Sequence, residues 1–299
     1  MPQIETLGTL RHECHATGGC CQGNIAILKP IEQETMRAQA VELNIPSPIE
    51  NNAIRKESGR CVFLEADQKC TIHSRYGHEN KPTICQQFPL VAIHTEKEIR
   101  IGIDPSCLSA WKTWKDGPLI NPGSLISTKK PVQDIVRNQE QTLLDLLDTS
   151  NNVQHILTRL TGSSEQFLIR WFDHLAKIPF DTIFVQDGTA PIFHQYLSQL
   201  SGITSNALHH FTLSATQQEW VIESTQRMLY LRFLNQNLTP PAIALLCLGG
   251  AVALATQETD NENFHKAYAT WNKAIRSPVF LAILLPTPQT LSWLAGVQS

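Results

Sequence analysis

Charge is scarce in this sequence. Only 17% of its 299 residues are charged, against about 25% in an ordinary globular domain, which is too little for a chain kept disordered by self-repulsion. Neither sign dominates. The 24 basic and 27 acidic residues leave a net charge of −3, which gives no reason to expect nucleic acid or an anionic membrane surface as a partner. Glycine and proline, at 15 and 17 residues, are too few for a fibrous or low-complexity chain. Long apolar runs are also missing: Ala242–Ala255, the longest, has 14 residues, short of the roughly 20 a membrane-spanning helix needs. The opening MPQIETLGTLRHEC has no apolar signal-like core, so a cytoplasmic, reducing location is expected.

The common catalytic signatures are absent as well. No glycine-rich loop follows a strand, and there is no Walker loop, no H-E-x-x-H, no G-x-S-x-G, and no H-x-E with a downstream P-C-x-x-C. No internal repeat is visible.

What the sequence does have is cysteine, unevenly placed. Seven of its eight cysteines (14, 20, 21, 61, 70, 85 and 107) fall in the first 107 residues, and only Cys247 lies beyond them. Residues 1–107 hold 11 basic and 13 acidic side chains, so charge does not follow the same division. The expectation is an α+β protein in two parts: a small cysteine-rich metal-binding module over 1–110 and a mainly α-helical domain over 132–299. Between them, 111–131 reads as a linker, because Asp116-Gly117-Pro118, Asn121-Pro122-Gly123 and Lys129-Lys130-Pro131 crowd turn-formers together.

Period and caps point to helices in the second part. Val153, Ile156, Leu157 and Leu160 share one face and run up to Gly162. Ser163 and Gln166 fit a capping box ahead of Phe167, Leu168, Trp171, Phe172 and Leu175. Trp220, Val221, Met228, Leu231 and Leu234 mark a helix over about 216–237, and Phe264, Tyr268, Trp271 and Ile275 mark another. These aromatic stripes read as core, as does Cys247 within Ala244-Leu245-Leu246-Cys247-Leu248. His194, His209 and His210, isolated in helical segments, read as structural or exposed. In the first part, a helix entered through Pro30 is expected to run to Leu43. Hairpins are expected over Cys61–Leu64 with Lys69–His73, and over Leu90–Ile93 with Ile99–Ile103 around Glu96-Lys97-Glu98.

Cysteines grouped in a chain with no export signal are metal ligands or reactive thiols more often than disulfides. A bond between the neighbours Cys20 and Cys21 would strain their peptide. Four thiolates close a tetrahedral zinc site or hold an iron–sulfur cluster, and seven exceed what one such site requires. His15, His73, His78 and His94 could add nitrogen ligands or be ordinary surface histidines.

The ordered segments C14-HAT-GG-C20-C21, C61-VFL, C70-TIH, K81-P-T-I-C85-QQFP and C107 resemble the YkgJ-type cysteine-cluster family, a zinc- or iron-chelating domain, over about residues 11–107. The resemblance implies a metal held by Cys14, Cys20, Cys21, Cys61, Cys70, Cys85 and Cys107. Thr17 stands where many members carry a further cysteine, and His73 where a tyrosine is common, which leaves the ligand set open at those places. A second likeness is to the FliB flagellin lysine N-methylases, which carry a similar cysteine module before a helical region like RMLYLRFLNQN and PAIALLCLGGAVALA. That likeness implies an iron–sulfur protein acting with S-adenosylmethionine on protein lysines, although the C-x-x-x-C-x-x-C triplet of radical enzymes is absent. The sequence thus sets a metal-binding or maturation protein with a protein partner against a methyltransferase with a protein substrate. Soft thiolate ligation tips the metal toward iron–sulfur.

Overall fold

The computed structural model describes residues 3–95, 97–122, 137–180, 191–204, 206–207, 212–231, 238–257, 260–287 and 289–296. Small strands and short helices fill the first hundred residues, and helices follow, so the α+β architecture expected from the sequence is present.

A three-stranded sheet forms where the alternation of Leu90–His94 and Glu98–Ile103 meets its turn. These strands pair antiparallel, Ala92 opposite Ile101, and Gln3–Thr6 adds a parallel edge strand with Ile4 beside Ile99. Glu96 lies outside the described residues, and Glu98 belongs to the strand rather than to the turn. Pro30 opens the Pro30–Glu42 helix, where its missing N–H costs nothing. The first expected hairpin is corrected. Leu64 and Cys70 pair and Glu65 N donates to Lys69 O at 2.9 Å, but Thr71–Tyr76 is a helix that buries Ile72. Thr71 N still donates across to Phe63 O at 2.8 Å, and from Ser74 N, which donates to Cys70 O at 2.9 Å, the segment makes helical hydrogen bonds of its own.

Apolar packing divides the chain differently from the cysteines. Leu28, Met36, Ala40, Ile54, Phe63 and Ile72 make a small core, against which Cys61, Cys70 and Cys85 pack. Ile101, Ile103, Cys107, Leu108 and Ala110 instead join the large core of the helices. Residues 111–120 also depart from a linker. Trp111 and Trp114 pack on the large core, Arg11 pairs with Leu119, and His12 N donates to Pro118 O at 3.1 Å. The Asp116-Gly117-Pro118 turn brings the chain back onto residues 10–12; residues 123–131 lie outside the described part.

Among the helices, Val153–Thr161 ends at Gly162 in the left-handed conformation, and Ser163 caps Ser164–Leu175 by accepting from Gln166 N. The next marked helix is Ala215–Tyr230, started by a full capping box of Ser214 and Gln217; residues 232–237, with Leu234, lie outside the described residues, as do His209 and His210. Pro240–Ala255 is buried on all sides, which explains its unbroken apolar run. Asn261–Ala274 crosses it closely: Trp271 Nε1 donates to Leu246 O at 3.0 Å, and a Cβ at Gly250 would overlap the Trp271 indole. Gly250→Ala is therefore expected to cost about 1–3 kcal/mol through overpacking, read as a lower urea midpoint with an unchanged slope.

Sheet and helices are joined by a buried ion cluster. Arg100 donates to Glu98 at 2.7 Å, to Glu140, and to Tyr230 O at 3.2 Å, while Arg137 reaches Glu98 from the other side at 3.2 Å. Burial alone would raise the Glu98 carboxyl, but Arg100 and Arg137 outweigh it and hold it below the usual range.

Candidate metal centre

The segment from Cys14 to Cys21 folds around two glycines. Gly18 has φ 67°, and Gly19 begins a single 3₁₀ turn through Cys21, with Cys21 N donating to Gly18 O at 3.0 Å. Neither glycine tolerates a Cβ, but the obstruction is protein packing rather than the thiols: Gly18 would meet Gln68 Oε1 at 2.8 Å, and Gly19 would meet Leu108 Cγ at 2.6 Å. The turn sets the Cys20 and Cys21 sulfurs 3.8 Å apart. All seven cysteines of this region are free thiols, as is Cys247.

The other cysteines arrive from separate elements. Cys61 ends the Lys56–Glu57/Arg60–Cys61 ribbon, and Cys70 immediately precedes the Thr71–Tyr76 helix. Cys85 sits in Thr83–Gln87, a short helix entered from Pro82 and left through Phe88-Pro89. Cys107 is buried at the edge of the large core, and Cys14 is exposed. Electrostatic reach ties them together: Cys21 feels Cys61 and Cys70, Cys85 feels Cys20 and Cys70, and Cys107 feels Cys20 and Cys14. The vicinal pair is thus the hub to which Cys61, Cys70, Cys85 and Cys107 are linked, with Cys14 joined through Cys107.

Burial disfavours thiolate at Cys20, Cys21, Cys85 and Cys107. Cys85 and Cys107 are pushed up to about 12, chiefly by desolvation. Cys20 is raised well above its ordinary value, mainly by its contact with Cys21 and by burial, and Cys21 is raised too, with the Cys61 contact and burial outweighing the opposing effect of Cys20. Cations oppose this trend: Lys81 acts on Cys20 and Cys85, Lys273 acts on Cys20, and Lys56 lies in reach of Cys21 and Cys61.

Two of these environments carry no mark in the sequence. His12 is buried, with its Nε2 4.0 Å from the Cys107 sulfur and its Nδ1 3.3 Å from Thr113 Oγ1; burial and the nearby His15 and Arg227 lower it to about 4. Lys273, from the Asn261–Ala274 helix, donates to Gly19 O and Gln22 O at 2.8 Å each; burial lowers it to about 8. Their only sequence signal is a polar residue inside an apolar helical or cysteine-flanking stretch. The four candidate histidines are less enclosed than His12: His15, His73 and His78 are exposed and His94 is half-buried.

The donor chemistry fits a thiolate-bound metal. With metal–sulfur bonds of about 2.3 Å, two thiolates on one tetrahedral ion stand about 3.8 Å apart, which is the spacing of Cys20 and Cys21. Among the described residues, no three Cys, His, Asp or Glu side chains already form a closed ligand set, so closing the set requires side-chain movement around this pair. Cys247 occupies a different environment. It is fully buried in the Pro240–Ala255 helix, against Thr225 and Tyr268, and desolvation pushes it up to about 12. Cys247→Ala is expected to leave metal content unchanged while costing about 1–2 kcal/mol of packing, measured by elemental analysis and urea unfolding of one preparation.

One of three comparisons with known proteins found a match. Residues 13–108, about a third of the chain, match the CxxCxxCC family model, described as a "putative zinc- or iron-chelating domain". The matched segment contains all seven clustered cysteines, which supports a metal-binding cysteine-cluster protein. No curated protein and no solved structure matches the chain. Among the described residues, no helix is long and apolar enough to cross a membrane.

Proposed function

We propose that the protein holds an iron–sulfur centre through thiolates drawn from Cys14, Cys20, Cys21, Cys61, Cys70, Cys85 and Cys107, with the Cys20–Cys21 pair at its middle. The observation that carries this reading is the 3.8 Å separation of the two sulfurs at the hub of the thiol group. Thiolates are soft donors, and the histidines near the group are mostly turned to solvent, which favours iron–sulfur over a mixed nitrogen–sulfur site. The same 3.8 Å edge suits one tetrahedral zinc ion, and zinc is the second reading. In either case residues 1–110 act as the metal module and 132–299 as the platform for a protein partner. Anaerobic purification followed by a visible spectrum and elemental analysis separates the two. A brown protein with iron and sulfide supports the first reading, a colourless one with stoichiometric zinc the second, and a protein with neither metal overturns both.

The raised thiols add a pH dependence with a definite sign. Cys85 and Cys107, near 12, bind their protons at neutral pH in the metal-free protein, so each ligand releases a proton as metal enters. Metal affinity is expected to fall, as pH drops below neutral, by about one power of ten per pH unit for each thiol displaced. Zinc titrations in buffers of different ionisation enthalpy check this; two to four protons per ion (about the ligand count of a thiolate site) are expected, and none would contradict the assignment.

A further inference from the structure

The Asn261–Ala274 helix sends one side chain out of the helical core into the turn that carries Cys20 and Cys21. Lys273 donates to the carbonyls of Gly19 and Gln22, one on each side of the pair, at 2.8 Å each. Only 8% of the residue is exposed, and its stem lies against Gly23, where a Cβ would meet Cδ at 3.2 Å. Both acceptors are neutral. Asp104, the acid closest in influence, is buried and already bound by Arg276 at 3.0 Å and by Ser106 N at 2.8 Å. Asp104 and Arg276 offset each other, Lys56 adds positive charge nearby, and among the described residues no carboxylate pairs with Lys273. A buried ammonium in that position is costly unless a counter-charge is close.

The cysteines can provide that charge. Four thiolates around a divalent ion leave a net charge of about −2, and Cys20 stands within electrostatic reach of Lys273. We propose that Lys273 is the positioning and counter-charge residue of the metal centre: it fixes the Cys20–Cys21 turn through the two flanking carbonyls and offsets the negative charge the thiolates acquire on metal binding. This rests on the metal-binding reading above and deepens it. Metal occupancy is then felt by the helical part through Lys273, because loading the site supplies the partner this buried charge lacks. Outer residues that orient a metal's ligands change affinity by about 10–100-fold when replaced.

The test uses the full chain with Lys273→Met and Lys273→Arg, zinc as the probe, chelator competition for affinity, and melting of metal-free and zinc-loaded protein. Lys273→Met is expected to weaken zinc binding by about 10–100-fold and to shrink the metal-induced rise in melting temperature, while the metal-free variant melts no lower than the parent. Lys273→Arg keeps the charge and is expected to recover most of the affinity. Equal zinc affinity in Lys273→Met, or the same loss of melting temperature with and without metal, overturns the proposal and reduces Lys273 to a packing residue. If Lys273→Met does not fold, Lys273→Gln, neutral but able to donate, is judged by the same two criteria. A parent chain that binds no zinc or iron overturns the metal reading itself, and this inference with it.

Discussion

Cys21→Ala is expected to strip the protein of metal and unfold its small core. Cys21 lies beside Cys20 and in reach of Cys61 and Cys70, thiols that pack on the small core. The elements that carry Cys61, Cys70 and Cys85 surround a core of only six buried residues: Leu28, Met36, Ala40, Ile54, Phe63 and Ile72. A core of that size supplies little stability alone, so metal binding energy at this site is folding energy. Loss of one central thiolate should lower affinity beyond the roughly 10–100-fold typical of outer residues. Elemental analysis should show metal near zero, and amide exchange across 26–87 should approach that of the chelated parent, while the large helical core stays protected. Full metal occupancy in Cys21→Ala would remove the vicinal pair from the centre.

Arg100→Met should cost about 3–5 kcal/mol, the effect of removing one partner from a buried ion pair. The side chain is 5% exposed and bridges Glu98 and Glu140, which are 5% and 3% exposed. Its loss takes from the two carboxylates the cation they share, while Arg137 still reaches Glu98 at 3.2 Å. Glu98 is held low by these cations, so its contribution is present above the ordinary carboxylate pKa and disappears as pH falls through its lowered value. Urea unfolding at neutral pH should therefore show the full deficit, and the deficit should narrow in acid. The triple variant Glu98→Gln, Arg100→Met, Glu140→Gln should recover much of it by removing the buried carboxylate charges that Arg100 had offset. An unchanged midpoint for Arg100→Met alone would mean that this cluster does not hold the sheet to the helices.

Much of the fold was legible because periodicity and capping are local. The stripe ending at Gly162, the Ser163 cap and the proline entry at Pro30 each depend on residues within one or two turns of each other. The Leu90–Ile103 hairpin was legible for the same reason. The Thr71–Tyr76 helix was not, because six residues with only Ile72 buried are too few to show either a helical or a strand period. Nor was the docking of residues 111–120, whose turn-formers fold the chain back onto residues 10–12 instead of releasing it.

By itself, the sequence determined the two-part composition, the helical character of the second part and the seven thiols that a metal could use, since each of these is written in residue type and spacing. Tertiary structure alone decided which cysteine is the hub, that Cys107 belongs to the large core, and that His12, Arg100 and Lys273 stand where they do. These depend on contacts between residues far apart in the chain: Lys273 reaches Gly19 across 254 positions. No local pattern encodes such a meeting, because burial and a partner's charge are properties of the packed whole rather than of any stretch of sequence.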